Sequence, residues 1–213
     1  MIKLQTYPIL EWIIVEGSSE KDATQNAIHI ANLKNDKIKY IEYSGKALSD
    51  LRNAGNNACT GEVIVCMDDD DYYPPTRVEH AVKSLVDSKK DIAGCSAMYL
   101  YDYNMKQLYK FRKFHANHST NNCMAFTRRY LNDHAHAPGL NRGEEPSFTN
   151  GFTAPMVQLN ANKCIVVSSH TTNTVDKRQM CEDSTAGRIK HLREVQKNVL
   201  ELIPVEMFGR MQI

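Results

Sequence analysis

Apolar residues along this chain fall into short runs separated by helical spacing, and the alternation is regular over the first 90 positions. Trp12-Ile13-Ile14-Val15 reads as a buried strand that stops at Glu16-Gly17-Ser18-Ser19-Glu20, a turn of cap-type residues. Ala23, Ala27, Ile30, Ala31 and Leu33 then recur with the spacing of one helix face. Ile38 to Tyr43 alternates apolar and polar positions, which predicts a second strand. Ser44-Gly45 breaks it, and a helix from Ala47 to Ala58 leads through Thr60-Gly61 to the apolar run Val63-Ile64-Val65-Cys66-Met67. Pro74-Pro75 cannot prolong that strand. Thr76 and Glu79 have the spacing of a capping box, opening a helix with Val78, Ala81, Val82 and Leu85 inward. Such βαβαβα order predicts an α/β protein with a parallel, right-handed, doubly wound sheet.

From Asp91 the rhythm changes. Ile92 to Tyr101 and Leu108 to Phe114 read as strands joined by a turn near Asp102 to Lys106. Asn122 to Phe126 is a further apolar piece, and Lys163 to Val167 closes the strand set. Between them, Asn132 to Asn150 is polar and carries Pro138, Gly139 and Gly143, which predicts loop around a short helix. Ile189, Leu192, Val195, Val199 and Leu202 predict an amphipathic helix over residues 186–203.

The strand Val63–Met67 ends on four consecutive aspartates, Asp68 to Asp71. The carboxyl ends of strands are where open α/β sheets bind ligands. Four adjacent negative charges beside a low-dielectric core repel strongly, and a divalent cation would relieve them. Side chains alternate along a strand, so continued extension would place Asp68 and Asp70 on one face and Asp69 on the other. An Asp-x-Asp pair is an oxygen site for Mg²⁺ or Mn²⁺. A solvated acidic turn is the competing reading, but such runs seldom sit flush against an apolar strand.

Composition narrows the field. A chain of 213 residues with 42% apolar and 24% charged positions is expected to form one soluble domain, or one with a small appendage, with a sizeable core. The net charge of +1 lacks the basic excess of a general nucleic-acid binder. No apolar stretch has the length of a membrane span, and the first residues lack a signal-peptide pattern. Six dispersed cysteines without a CxxC pair argue against zinc and a disulfide framework, so a reducing, cytoplasmic setting is expected.

Several segments, in order, resemble the GT-A glycosyltransferases, and family 2 of that fold most closely. Leu4-Gln5-Thr6-Tyr7-Pro8, then Glu11 to Ser19, is similar to the family's Q-T-Y and E-h-I-V-V-D-D-G-S segments. Leu51-Arg52-Asn53-Ala54-Gly55-Asn56-Asn57-Ala58 with Gly61 resembles A-R-N-x-G … A-x-G, and Met67 to Asp71 stands where L-D-x-D-D is usual. The Cys-Met-Asp-Asp-Asp-Asp wording and the many tyrosines also resemble glycosyltransferases of large algal (chlorella-type) viruses, which would place the protein in a host cytoplasm.

The resemblance implies a Rossmann-like GT-A fold with a mostly parallel central sheet and a smaller mixed, acceptor-side portion. It divides the single domain into a nucleotide-binding half over 1–90, an acceptor side over 91–185 and a terminal helix over 186–213. It implies transfer from a nucleotide sugar, UDP-linked, to a glycan or glycoprotein acceptor with Mn²⁺ or Mg²⁺. Asp70 would bind the metal, Asp68 the metal or the ribose, and Asp69 and Asp71 the donor hydroxyls or only the surroundings. Glu16 beside Gly17 stands at the nucleobase position, or is simply a turn acid. Arg52 matches a base- or phosphate-facing arginine, and Lys46 is a weaker candidate for the same region. His170 resembles the late histidine that completes the metal shell, or is an exposed loop residue. Glu145 stands where the family's Gly-Glu-Asp has its base, with Glu144 an equal contender on physical grounds. The family's usual opening strand and helix are not seen ahead of Gln5, consistent with a larger multidomain parent. A non-catalytic sugar-binding module and a nucleotidyltransferase are the alternatives, the latter without a visible phosphate loop.

Overall fold

The computed structural model describes residues 2–17, 20–44, 47–169 and 177–208. Strands β1 (Trp12–Glu16) and β2 (Ile38–Glu42) pair in parallel, with Trp12 opposite Ile38 and Glu16 opposite Glu42. The crossover between them is α1 (Glu20–Asn32), as a parallel pair requires. On α1 only Ala23 of the expected inward positions is buried, and Leu33 is exposed. Helix α2 (Leu48–Ala58) returns along β1 and leads to β3 (Val63–Val65). After α3 (Arg77–Ser88) comes β4 (Ile92–Gly94). Val78, Ala81 and Leu85 of α3 are buried as their spacing predicts.

The alternation then meets a strand from the late half. β7 (Ala125–Thr127) lies between β3 and β4 and runs antiparallel to both, while β8 (Met156–Gln158) pairs in parallel with β4. The order is β3-β7-β4-β8, so β3 and β4 are not the direct parallel neighbours that simple alternation predicts. The span expected as one strand from Ile92 to Tyr101 is two. Its second part is β5 (Tyr99–Asp102), which belongs to another sheet with β6 (Gln107–Phe111), β9 (Val166–Ser169) and β10 (Leu192–Glu194), in the order β10-β6-β5-β9. At the switch, the Ser96 N–H and hydroxyl both donate to Gln158 Oε1 at 3.1 Å. Gly94 is required there: a Cβ would lie 2.6 Å from Met156 Sδ and collide with Ser119.

Three expectations are corrected. No helix occupies 186–203; β10 instead pairs antiparallel with β6, followed by a 3-10 turn at Val199–Glu201. The apolar positions do face inward, with Leu192 buried and Ile189, Val195, Val199 and Leu202 packed on the core, but from extended chain that gains ladder hydrogen bonds at a sheet edge. Thr76 makes no side-chain cap on α3. Its place is taken from the amino-terminal segment: Gln5 Oε1 accepts from the Val78 N–H at 3.1 Å, and the Thr6 hydroxyl donates to Glu79 Oε2 at 2.7 Å. Finally, β8 and α5 (Lys177–Thr185) lie in stretches that carried no element in the sequence reading.

Candidate active site

β3 delivers the acidic run to the edge of the core. Beyond Val65 the Cys66 N–H still reaches Met124 O at 3.0 Å, and the chain then turns at Asp69–Asp70. Buried Tyr73 pins the turn: its hydroxyl accepts from the Asp68 N–H at 2.8 Å and donates to Asn122 O at 3.3 Å. Asp71 is itself buried, its Oδ1 accepting from the Ser168 N–H at 2.9 Å and its Oδ2 from Asn122 Nδ2 at 2.8 Å. Burial pushes its carboxyl up to about 7, opposed by Lys177 and reinforced by Asp70. Carboxylate oxygens of Asp68, Asp70 and Asp71 all lie within 4.8 Å of one another. Strand alternation pairs Asp68 with Asp70; the turn adds Asp71, which the sequence leaves in a supporting role, and Asp69 is exposed. Three converging carboxylates are the hard oxygen donors that Mg²⁺ and Mn²⁺ prefer.

Arg52, on α2, faces this cluster. Its Nη1 and Nη2 donate to the two Asp68 oxygens at 2.9 and 3.3 Å, and its Nε donates to Glu144 Oε1 at 3.2 Å. Burial opposes the guanidinium charge, but Asp68 overcomes it and raises the Arg52 pKa. Glu144 is 3% exposed, so this acid from the polar loop is a buried partner of Arg52 rather than a solvated charge. Glu145 opens the short helix α4 (Glu145–Phe148), and its Oε1 accepts from the Asn121 N–H at 3.2 Å. Burial, then the Glu144 charge, raises its carboxyl above the usual range.

The sequence gives no hint of the residue that joins these pieces. His136, in the polar loop between Asn132 and Asn150, is 3% exposed and stacks on Phe148 at 4.3 Å. Its backbone N–H and C=O pair with the Asn53 amide at 3.0 and 2.8 Å. Its Nδ1 lies 3.3 Å from Glu144 O and its Nε2 3.0 Å from Asn121 Nδ2, so His136 joins α2 through its backbone to the Glu144 loop and the support of Glu145 through its ring. Burial lowers its pKa and favours the neutral ring.

Glu16 ends β1, and its Oε2 accepts from Asn26 Nδ2 of α1 at 2.6 Å. Its charge also helps raise the Asp69 carboxyl, after partial desolvation by nearby protein, Asp70 and Asp68, so the ends of β1 and β3 share one electrostatic environment. Gly17 lies against α2, where a Cβ would meet Leu51 Cδ1 at 2.6 Å. Lys46 and His170 lie outside the described residues.

With this geometry established, comparison with known proteins is decisive. The sequence model described as glycosyl transferase family 2 matches residues 2–138, well over half of the chain. The chain belongs to glycosyl transferase family 2. Among curated relatives of this family 2 domain, glycosyltransferase GlyA of Streptococcus pneumoniae is 33% identical over 89 residues, covering 42% of this chain and 13% of that protein. An uncharacterized glycosyltransferase of Nostoc is 30% identical over 90 residues, covering 42% of this chain and 27% of that one. The matched part is thus a minor fraction of either relative's length. A mannosyltransferase of Pyrobaculum calidifontis, solved with GDP-Man and Mn²⁺, superposes with a TM-score of 0.62 at 15% identity, covering 89% of this chain and 59% of that one. S. aureus TarS 1–349 in complex with UDP gives 0.60 at 15% identity, covering 78% and 54%. At that identity the likeness establishes the GT-A-type fold alone. None of these named relatives is viral. No described helix is long and apolar enough to cross a membrane.

Proposed function

We propose that this family 2 domain transfers a glycosyl unit from a nucleotide sugar to a hydroxyl of a glycan or glycoprotein acceptor, with a divalent cation held at Asp68, Asp70 and Asp71. The convergence of those three carboxylates opposite Arg52 carries the reading. The bound ion, Mn²⁺ or Mg²⁺, supplies positive charge against the diphosphate of the donor. Asp68, already fixed by Tyr73 through its backbone, and Asp70 present the ligand oxygens, and buried Asp71 completes the set. Arg52 adds a fixed cation at the same edge, where charge grows as the sugar–phosphate bond breaks. Glu16 and Lys46 are assigned to the nucleotide, and His170 to the ion. The two neighbours solved with UDP and with GDP-Man support a nucleoside diphosphate donor and leave both bases as candidates for this chain.

On the acceptor side, Glu145 is the proposed base. As the acceptor oxygen bonds to the anomeric carbon, its proton passes to the Glu145 carboxylate and the electron pair of the broken bond leaves with the diphosphate. The raised carboxyl makes Glu145 a stronger proton acceptor than an ordinary carboxylate. Glu144, engaged by Arg52, is better placed to orient than to accept a proton. The test is Asp70→Asn. Donor turnover with Mn²⁺, read as release of UDP or GDP, should fall by about two to four orders of magnitude, in the range that electrostatic groups contribute. Turnover equal to that of the wild type would refute the assignment.

A further inference from the structure

A second surface stands out on the acceptor side, formed by rings rather than carboxylates. Phe114 is 53% exposed, and its ring lies 4.6 Å from that of His118 and 6.1 Å from that of His191. His118 stacks on Phe152 at 5.1 Å, and His115 meets both at 5.7 and 5.8 Å. Five rings thus form one continuous surface patch. Phe152 is held there by an unusual backbone: Asn150, Gly151 and Phe152 have φ of 52°, 64° and 61°, three successive left-handed residues. An aromatic residue in that region is a genuine outlier, and such conformations cluster at ligand clamps. The Asn117 amide ties the two segments together, donating to Thr153 O at 3.4 Å and accepting from the Met156 N–H at 3.2 Å.

The exposed His115 ring adds a polar group to the patch. His115 Nδ1 accepts from the Asn117 N–H at 3.3 Å, so its neutral ring carries the free proton on Nε2. The flanks are basic: exposed Arg112 and Lys113 precede Phe114, and exposed Lys190 precedes His191. Both segments also run directly into the base. The one bearing His118 ends at the Asn121 N–H that holds Glu145, and the one bearing Phe152 starts from Glu145 itself.

We propose that this patch is a docking platform for an acidic polysaccharide, the acceptor chain of the reaction above. Pyranose rings lay their C–H faces on aromatic rings, and carboxylate or phosphate substituents would meet the imidazole N–H groups and the flanking cations. The proposal rests on the glycosyltransferase reading, yet binding can be measured without donor or turnover. An array of uronate-bearing, phosphorylated and neutral oligosaccharides, probed with the full chain at two salt concentrations, provides the measurement. Binding should be confined to acidic glycans, weaken with salt, and fall about tenfold in Phe114→Ala and in Phe152→Gly. Phe114→Ala removes an exposed ring, and glycine at 152 tolerates the left-handed backbone, so neither variant should compromise folding. Hydrolysis of donor by both variants should match the wild type.

No acidic glycan retained by the wild type, equal retention of neutral glycans, or unchanged binding in both variants would overturn the platform. So would self-association of the chain that Phe114→Ala abolishes, since the patch would then be a contact between copies. Glycan binding without any donor hydrolysis by the wild type would uphold the platform and sink the transferase reading instead.

Discussion

Replacing Arg52 with lysine keeps a positive charge and removes the geometry. The guanidinium reaches both Asp68 oxygens through one edge and Glu144 through Nε; an ammonium cannot serve both partners from one position. Arg52→Lys should therefore cost about 1–3 kcal/mol of stability through a poorly paired buried acid, and lower donor turnover more than tenfold. Thermal unfolding and nucleotide release check the two effects; a variant with wild-type values in both would show that charge alone suffices. Residue-scale legibility follows distance along the chain. Asp68 to Asp71 announce themselves because they are consecutive. His136 could not be read, because its partners Asn53, Asn121 and Glu144 come from three separate parts of the chain and no periodicity links them. Glu144 was legible as a candidate, though its burial was not: only the approach of Arg52, 92 positions away, makes burial of that charge tolerable.

Elements were legible where a single face decides them and misread where a distant edge does. α3 shows its buried face in sequence, and β1 and β2 show their apolar runs. The span 186–203 has helical spacing, yet β6 offers an unpaired edge more than eighty positions earlier, and strand pairing wins. The capping box failed for the same reason, since Gln5 reaches Val78 from 73 positions away. One long-range stitch gives a prediction at this scale. Glu11, just before β1, accepts from the Thr60 N–H and hydroxyl and the Gly61 N–H, and pairs with Lys39 at 2.6 Å. Burial pushes its carboxyl upward, but Lys39 and the Thr60 and Gly61 donors outweigh it and hold it down to about 2. The folded group thus releases its proton at lower pH than the unfolded chain, whose value is 4.5. Its stabilisation is complete above that pH and is lost as pH falls toward 2. Glu11→Gln should lower stability by about 1–3 kcal/mol near neutrality, with the gap to the wild type closing in acid. A melting-temperature gap that stays constant down to pH 2 would contradict this account.

For the whole molecule, the α/β order of the first half was readable because its main packing partners are near in sequence, β1 with β2 and α3 with β3 and β4. The late half was not, because β7 inserts between β3 and β4 and the chain changes sheets after Gly94. Ligand linkage acts at this scale. A nucleoside diphosphate with Mn²⁺ at a hundredfold excess over its dissociation constant should stabilise the fold by about 2.7 kcal/mol, a shift of roughly 5–10 °C for a chain this size. UDP and GDP compared with and without Mn²⁺ or Mg²⁺ would identify base and ion together. The shift should vanish in Asp70→Asn, and a shift of equal size without any divalent ion would remove the cation from the scheme.

The contact between Arg52 and Asp68 also sets the order of events at the site. A carboxylate already chelated by a guanidinium is not idle ligand, so an ion entering alone must compete with an internal cation for Asp68. A donor diphosphate changes that contest, because it offers the guanidinium a new anion as the carboxylate turns to the metal. Ion and donor should then each bind weakly alone and strongly together. The free domain would remain electrostatically content at low metal concentrations, and would admit the ion chiefly when there is a sugar to transfer.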